Sequence, residues 1–142
     1  MIKAVISGDI VASTSLNDAG RELIENSLKE LINELNKNFN TYSRIIKGDY
    51  LECVVPNPEN ALVVALAIKS FVKSIPIKDL SLYKTNNKIK LFKTYGIRLA
   101  IGYGTLSRYD SKKGIIDGEA IYLSGRTINK FSTYNKKRIV IK

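Results

Sequence analysis

The sequence predicts an α+β domain built on an antiparallel sheet, and two observations predict it. Short β-branched runs alternate with stretches of helical period. Two of those runs flank a tight glycine turn, as a hairpin does. The 142 residues suit one domain spanning 1–142, and no linker, repeat or low-complexity tract divides them. Apolar residues make up 44% and charged residues 25%, a balance that excludes a disordered tail, a collagen-like chain and a coiled coil.

Ile2 to Ile10 is β-branched and closes on Ser7-Gly8-Asp9, which predicts a buried strand with Asp9 at its carboxyl end. Ser13-Thr14-Ser15 and Asn17-Asp18 offer helix caps. Beyond them Ile24, Leu28, Leu31, Ile32, Leu35 and Phe39 recur at steps of three and four, one face of a long amphipathic helix. Strands follow at Tyr42 to Ile46 and Leu51 to Val55, with Gly48-Asp49 at the turn. Pro56 and Pro58 end the hairpin, and Ala61 to Val72 is a helix apolar on all sides, hence deeply buried or packed on a partner. Residues 76–95 read either as a small surface hairpin or as an irregular excursion, and are basic throughout 78–93. Gly96 to Gly102 is a third core strand; a polar loop to Asp117, a helix over Gly118 to Lys130 and a last strand over Arg138 to Ile141 complete the chain.

The first six elements form a split β-α-β, the ferredoxin-like plan with helices on one face of the sheet. That plan sets the first strand antiparallel to the third, so Asp9 and Asp49 meet at one sheet edge.

The chain has no histidine and a single cysteine, Cys53. This excludes Ser-His-Asp and Cys-His catalysis, the common zinc sites and an internal disulfide framework. Lys and Arg number 23 against 13 Asp and Glu, a formal charge of +10 that favours anionic partners. No signal peptide opens the sequence and no apolar run spans a bilayer, so a cytoplasmic protein with no membrane partner is the simplest expectation. Two carboxylates side by side repel unless a cation lies between them, and Mg²⁺ or Mn²⁺ bridging to phosphates is the economical use of such a pair. Gly8 and Gly48 leave room for close approach, and backbone N–H groups from Ile10 to Leu16 would cradle a phosphate, with Val11, Ser13 and Thr14 in that turn.

The run Gly8-Asp9-Ile10-Val11-Ala12-Ser13-Thr14-Ser15-Leu16 resembles the first motif of class III nucleotidyl cyclase domains, and Gly48-Asp49 resembles the second. Pro58 to Leu62, Ile97 to Gly104 and Gly118 to Arg126 resemble the later motifs in the same order across nearly the whole chain. A closer resemblance is to the SatD-like family of small bacterial domains, carried by Gly8-Asp9-Ile10-Val11, Gly48-Asp49, the Ile97 to Gly104 strand and Asp117-Gly118-Glu119-Ala120. The resemblance implies that Asp9, the Ile10 carbonyl and Asp49 hold Mg²⁺ or Mn²⁺ against a nucleoside triphosphate. It implies that Arg126 is the catalytic arginine, that Tyr122 stands where the ribose-orienting asparagine would be, that Ile45 replaces the base-reading lysine, and that Lys136 or Lys137 contacts phosphate. It also implies a homodimer with a shared site.

Three functions follow as expectations. The first is metal-dependent triphosphate binding, with nucleotidyl cyclisation or transfer if the site is active. The second is an inactive nucleotide- or protein-binding sensor, which the Ile45 and Tyr122 departures favour. The third is nucleic-acid binding through the basic 78–93 segment and the tail Lys136-Lys137-Arg138, for which the plainer reading is solvated surface charge.

Overall fold

The computed structural model describes residues 1–11, 16–77, 92, 96–130 and 139–142. β1 (Ile2–Ile10) runs through the middle of a five-stranded sheet. α1 (Asp18–Phe39) starts at Asn17, whose side chain accepts the Gly20 N–H at 2.8 Å, so of the offered caps Asn17 is the one seen in use. Ser13, Thr14 and Ser15 lie outside the described residues. β2 (Tyr42–Ile46) and β3 (Tyr50–Val55) form the expected hairpin. Lys47 (φ 55°) and Gly48 (φ 79°) both take left-handed backbone at its turn, which glycine adopts without the steric cost of a Cβ.

A single 3₁₀ turn at Pro58–Asn60 leads into α2 (Ala61–Ser74). β4 (Ile97–Thr105), β5 (Arg108–Asp110), β6 (Ile115–Asp117), α3 (Glu119–Lys130) and β7 (Ile139–Ile141) follow. The sheet order is β2-β3-β1-β4-β7, and β5 pairs with β6 in a separate ribbon. β1 is antiparallel to both β3 and β4, as the α+β prediction requires, whereas β7 is parallel to β4.

Side chains alternate across β1, and the alternation divides the interior in two. Ala4, Ile6 and Ile10 join Leu51, Cys53, Val55, Ile97, Leu99 and Ile101 under α1 and α2. Val5 and Val54 face the other way and pack with Ile116 and Ala120. The two-helix face is the one the split β-α-β predicts. The third helix departs from helices on one face: α3 covers the opposite side. It sits close because the strand beneath it has glycine at two positions that face it. A Cβ on Gly102 would meet the Ala120 carbonyl and the Ser124 N–H, and one on Gly104 would meet the Glu119 side chain. A buried hydrogen bond between the Ser7 and Ser124 hydroxyls, 2.8 Å, ties β1 to α3.

Three other expectations change. α2 is not buried all round: Val64, Ala65, Ile68 and Val72 are in the core, while Leu62, Val63 and Leu66 stay about half exposed. The expected polar loop before Asp117 holds the end of β4 and the β5–β6 ribbon. Most of the basic 78–93 segment lies outside the described residues; Phe92 within it is buried in the α1–α2 core. Among the described residues no helix is long and apolar enough to cross a membrane.

Candidate functional site

The hairpin register carries the site. Asp9 lies opposite Tyr50, and the next N–H along, that of Ile10, donates to the Asp49 carbonyl at 2.9 Å. The two aspartates therefore share one end of the sheet, on neighbouring strands. Their side chains do different things there.

Asp49 lines a pocket of about 360 Å³ with Gly48, Lys47, Leu16, Arg21, Ile24 and Glu25, on the side covered by α1. Asp9 follows the strand parity of Val5 and Ser7, toward the α3 side, and lies directly across from Arg98. The Arg98 guanidinium grips it as a fork: Nε donates to Oδ1 at 2.8 Å and Nη2 to Oδ2 at 2.5 Å. Planar, charge-assisted pairs of this kind are the strong ones. The bond to Asp9 raises the Arg98 pKa above its ordinary range, against the opposing effect of burial. Tyr50, across from Asp9, is raised as well, by burial first and by the Glu52 and Asp9 charges.

Val11 does not offer its N–H to a phosphate, because that N–H already donates to the Gly96 carbonyl at 2.9 Å; the Ile10 N–H is likewise engaged. This corrects the expected backbone cradle at these two residues. Ser13 and Thr14, also placed in that cradle, lie outside the described residues, as do Lys136 and Lys137. Ile45 packs partly buried against the α1-side core, so it has no polar group to turn toward a base.

Tyr122 and Arg126 lie on α3, with the sheet between them and the Asp49 pocket. Tyr122 is exposed, its hydroxyl donates to Asp117 Oδ1 at 2.5 Å, and the Arg126 guanidinium carbon stands 5.9 Å from its ring centroid. The Asp117 carboxylate keeps this phenol above its usual pKa, the hydrogen bond being the larger cause. One chain thus brings Asp9, Ile10, Gly48 and Asp49 to one sheet end, and does not bring Tyr122 or Arg126 to the Asp49 pocket.

Two carboxylates and a backbone carbonyl are the right donor types for a hard cation. Their arrangement does not fit one: both Asp9 oxygens are held by Arg98, and Asp49 opens onto the α1 side. Among the described residues no group of three or more Asp, Glu or Cys side chains is placed to hold a metal ion.

Sequence reasoning missed Arg21 and Glu25 as pocket residues. They are one turn apart at the start of α1, flanking core Ile24, and the signal available was that spacing just after a strand end. It also left Lys69 unremarked. Lys69 on α2 donates to the Ile97 carbonyl at 2.5 Å, and burial, with the nearby Lys73 charge, lowers its ammonium to about 8 from 10.5. A lysine whose pKa falls on folding binds its proton more weakly in the native state. The unfolded chain then holds more protons between those two values, so this group's contribution to stability rises as pH climbs through them. The unfolding free energy of the parent protein, relative to Lys69→Met, is therefore expected to rise between pH 7 and pH 9.5 in urea titrations. A flat difference across that range would show that Lys69 titrates as it does in the unfolded chain.

No protein-family model and no curated protein matches the sequence. Solved structures do match in fold. An adenylate cyclase from Trypanosoma brucei in its monomeric state superposes with a TM-score of 0.64 at 16% identity, over 99% of this chain and 72% of that one. The catalytic core of a rhodopsin-guanylyl cyclase with converted specificity, in complex with ATPαS, gives 0.61 at 18% identity, over 99% and 76%. The adenylyl cyclase CyaB from P. aeruginosa gives 0.60 at 17% identity, over 99% and 77%. The fold of this chain is that of adenylyl and guanylyl cyclase catalytic domains.

Proposed function

We propose that this domain binds a nucleoside triphosphate in the pocket between the start of α1 and the β2–β3 turn. The observation that carries the reading is the Ile10–Asp49 backbone bond, which fixes the Gly48-Asp49 turn at the pocket rim on a cyclase-like sheet. Arg21 and Lys47 offer charge to phosphates, and Leu16 and Ile24 offer apolar surface. Support comes from the fold and from one structural relative that holds ATPαS.

A second reading, binding without turnover, is favoured by three side chains already occupied elsewhere. Asp9 is forked to Arg98, Tyr122 is bonded to Asp117, and Ile45 is packed into the core. A site using both Asp49 and Arg126 would need a second copy of the chain, because the sheet separates them; homodimerisation is part of the proposal in its catalytic form. In either form the affinity for triphosphate rests on Arg21 and Lys47.

The test is a thermal-shift series with the four ribonucleoside triphosphates, with and without Mn²⁺, alongside a product assay. A triphosphate present at about a hundred times its Kd is expected to add roughly 2.7 kcal/mol of apparent stability. Arg21→Ala is expected to abolish that shift. Absence of a shift for every triphosphate, with and without Mn²⁺, removes the nucleotide reading. Product formed by the parent but not by Asp9→Ala removes the binder-only reading.

A further inference from the structure

A second pocket, of about 450 Å³, lies at the far end of β1 from Asp9. It is formed where the start of β1, the C-terminus of α1 and the β5–β6 ribbon meet, and its walls include Lys3, Asn36, Asn40, Tyr42, Tyr109 and Lys112. Lys3 and Asp9 are six positions apart along the strand, or about 20 Å. The two pockets are therefore distinct.

The pocket is preformed by contacts between distant parts of the chain. Arg44 on β2 bonds Glu52 on β3 through Nε at 2.7 Å and reaches through Nη1 to the Gly114 carbonyl, at 2.6 Å, in the turn of the ribbon. That clamp holds the ribbon against the sheet. Tyr109 on the ribbon then stands 6.3 Å from Tyr42, centroid to centroid, with the rings tilted by 46°. The Lys3 ammonium lies 6.0 Å from the Tyr109 ring centroid. Two rings make an aromatic wall, and the Lys3 cation lies over the face of one of them, that of Tyr109.

The charge inside has one sign. No carboxylate is among the described residues of the lining. The nearby Asp110 is engaged in its own turn, accepting the N–H groups of Lys112 and Lys113 at 3.0 and 3.2 Å. A helix C-terminus ordinarily presents bare carbonyls and a partial negative charge. Here the Asn36 carbonyl of the last turn is taken by the Asn40 N–H, and Asn36 Nδ2 caps the Thr41 carbonyl just beyond the helix. Lys3 and Lys112 are the formally charged groups among the described lining, with amide and hydroxyl groups around them.

We propose that this pocket is a binding site for a small anion carrying a flat ring, an aryl or heteroaryl phosphate or carboxylate. The ring lies against Tyr42 and Tyr109, and the anionic group lies between Lys3 and Lys112. The proposal does not depend on the nucleotide reading of the Asp49 pocket, since no residue is shared between them.

Phenyl phosphate is the probe, titrated into isotope-labelled full-length protein and followed by amide chemical shifts. Phenol and inorganic phosphate report on each half of the ligand. Saturable shifts are expected at Lys3, Tyr42, Tyr109 and Lys112. Each half-ligand is expected to bind about tenfold more weakly than phenyl phosphate, and Tyr109→Leu to cost about tenfold. Tyr109 also packs on the smaller core, so the exposed Lys112→Gln serves as the variant that leaves folding alone; it is expected to weaken phenyl phosphate roughly fivefold. Three results overturn the proposal: no saturable shift, shifts centred on Gly48 and Asp49 instead, or an affinity unchanged in both Lys3→Gln and Lys112→Gln.

Discussion

Gly102→Ala is expected to destabilise the domain by about 3 kcal/mol, the upper end of the usual cost of overpacking. The added methyl points at backbone, the Ala120 carbonyl and the Ser124 N–H, and backbone cannot swing aside as a side-chain tip can. Relief requires α3 to lift from β4, which also breaks the Ser7–Ser124 hydrogen bond. Gly125→Ala makes the same chemical change on α3 itself, where a Cβ meets nothing within 4 Å. There it is expected to stabilise by about 1 kcal/mol, through helix propensity. Urea unfolding of the two variants measures both. Losses of similar size would mean that α3 is not seated on Gly102 as described.

The Asp9–Arg98 fork gives the second large effect. Arg98→Met leaves a partly buried carboxylate without its guanidinium. The side chains are 19% exposed for Arg98 and 32% for Asp9, so solvent screens part of the loss, and about 2 kcal/mol is expected rather than the full cost of a buried broken pair. Asp9→Asn alone is expected to cost a similar amount. The double variant should lose clearly less than the sum of the two, because each single change leaves the other partner stranded. Additive losses in that cycle would show that the two side chains do not depend on each other in solution. Arg98→Met also bears on function. If the triphosphate shift survives it, the phosphates are held from the Arg21 and Lys47 side.

What the sequence made legible here was local. The β-branched run from Ile2 to Ile10, the three-four spacing from Ile24 to Phe39 and the Gly48-Asp49 turn each report on their neighbours in the chain, and each was found where the pattern placed it. That the two aspartates share one sheet end followed from these and from the antiparallel pairing of the first and third strands. What stayed hidden depends on partners far apart. Arg98 meets Asp9 across 89 positions, and only the β1–β4 register brings them opposite. The seat of α3 is written as two absent side chains, Gly102 and Gly104, which carry no periodic signal of their own. The β5–β6 ribbon has three-residue strands, too short for alternation to show, and is held by Arg44, some seventy residues away. Val11 was expected to offer an N–H as part of a turn leading into the first helix; the Gly96 carbonyl takes it.

The two interior layers are unequal: one lies under a pair of helices, while the other is a thin contact of Val5, Val54, Ile116 and Ala120 beneath a single helix. Loss of cohesion should therefore begin on the thin side, as a partial opening that costs less than melting the whole molecule. In such an opened form Tyr122 and Arg126 are carried away with their helix, while the hairpin turn and the pocket beside α1 keep their shape. The halves that a cyclase-type reaction would have to combine thus belong to parts of the molecule with different lifetimes.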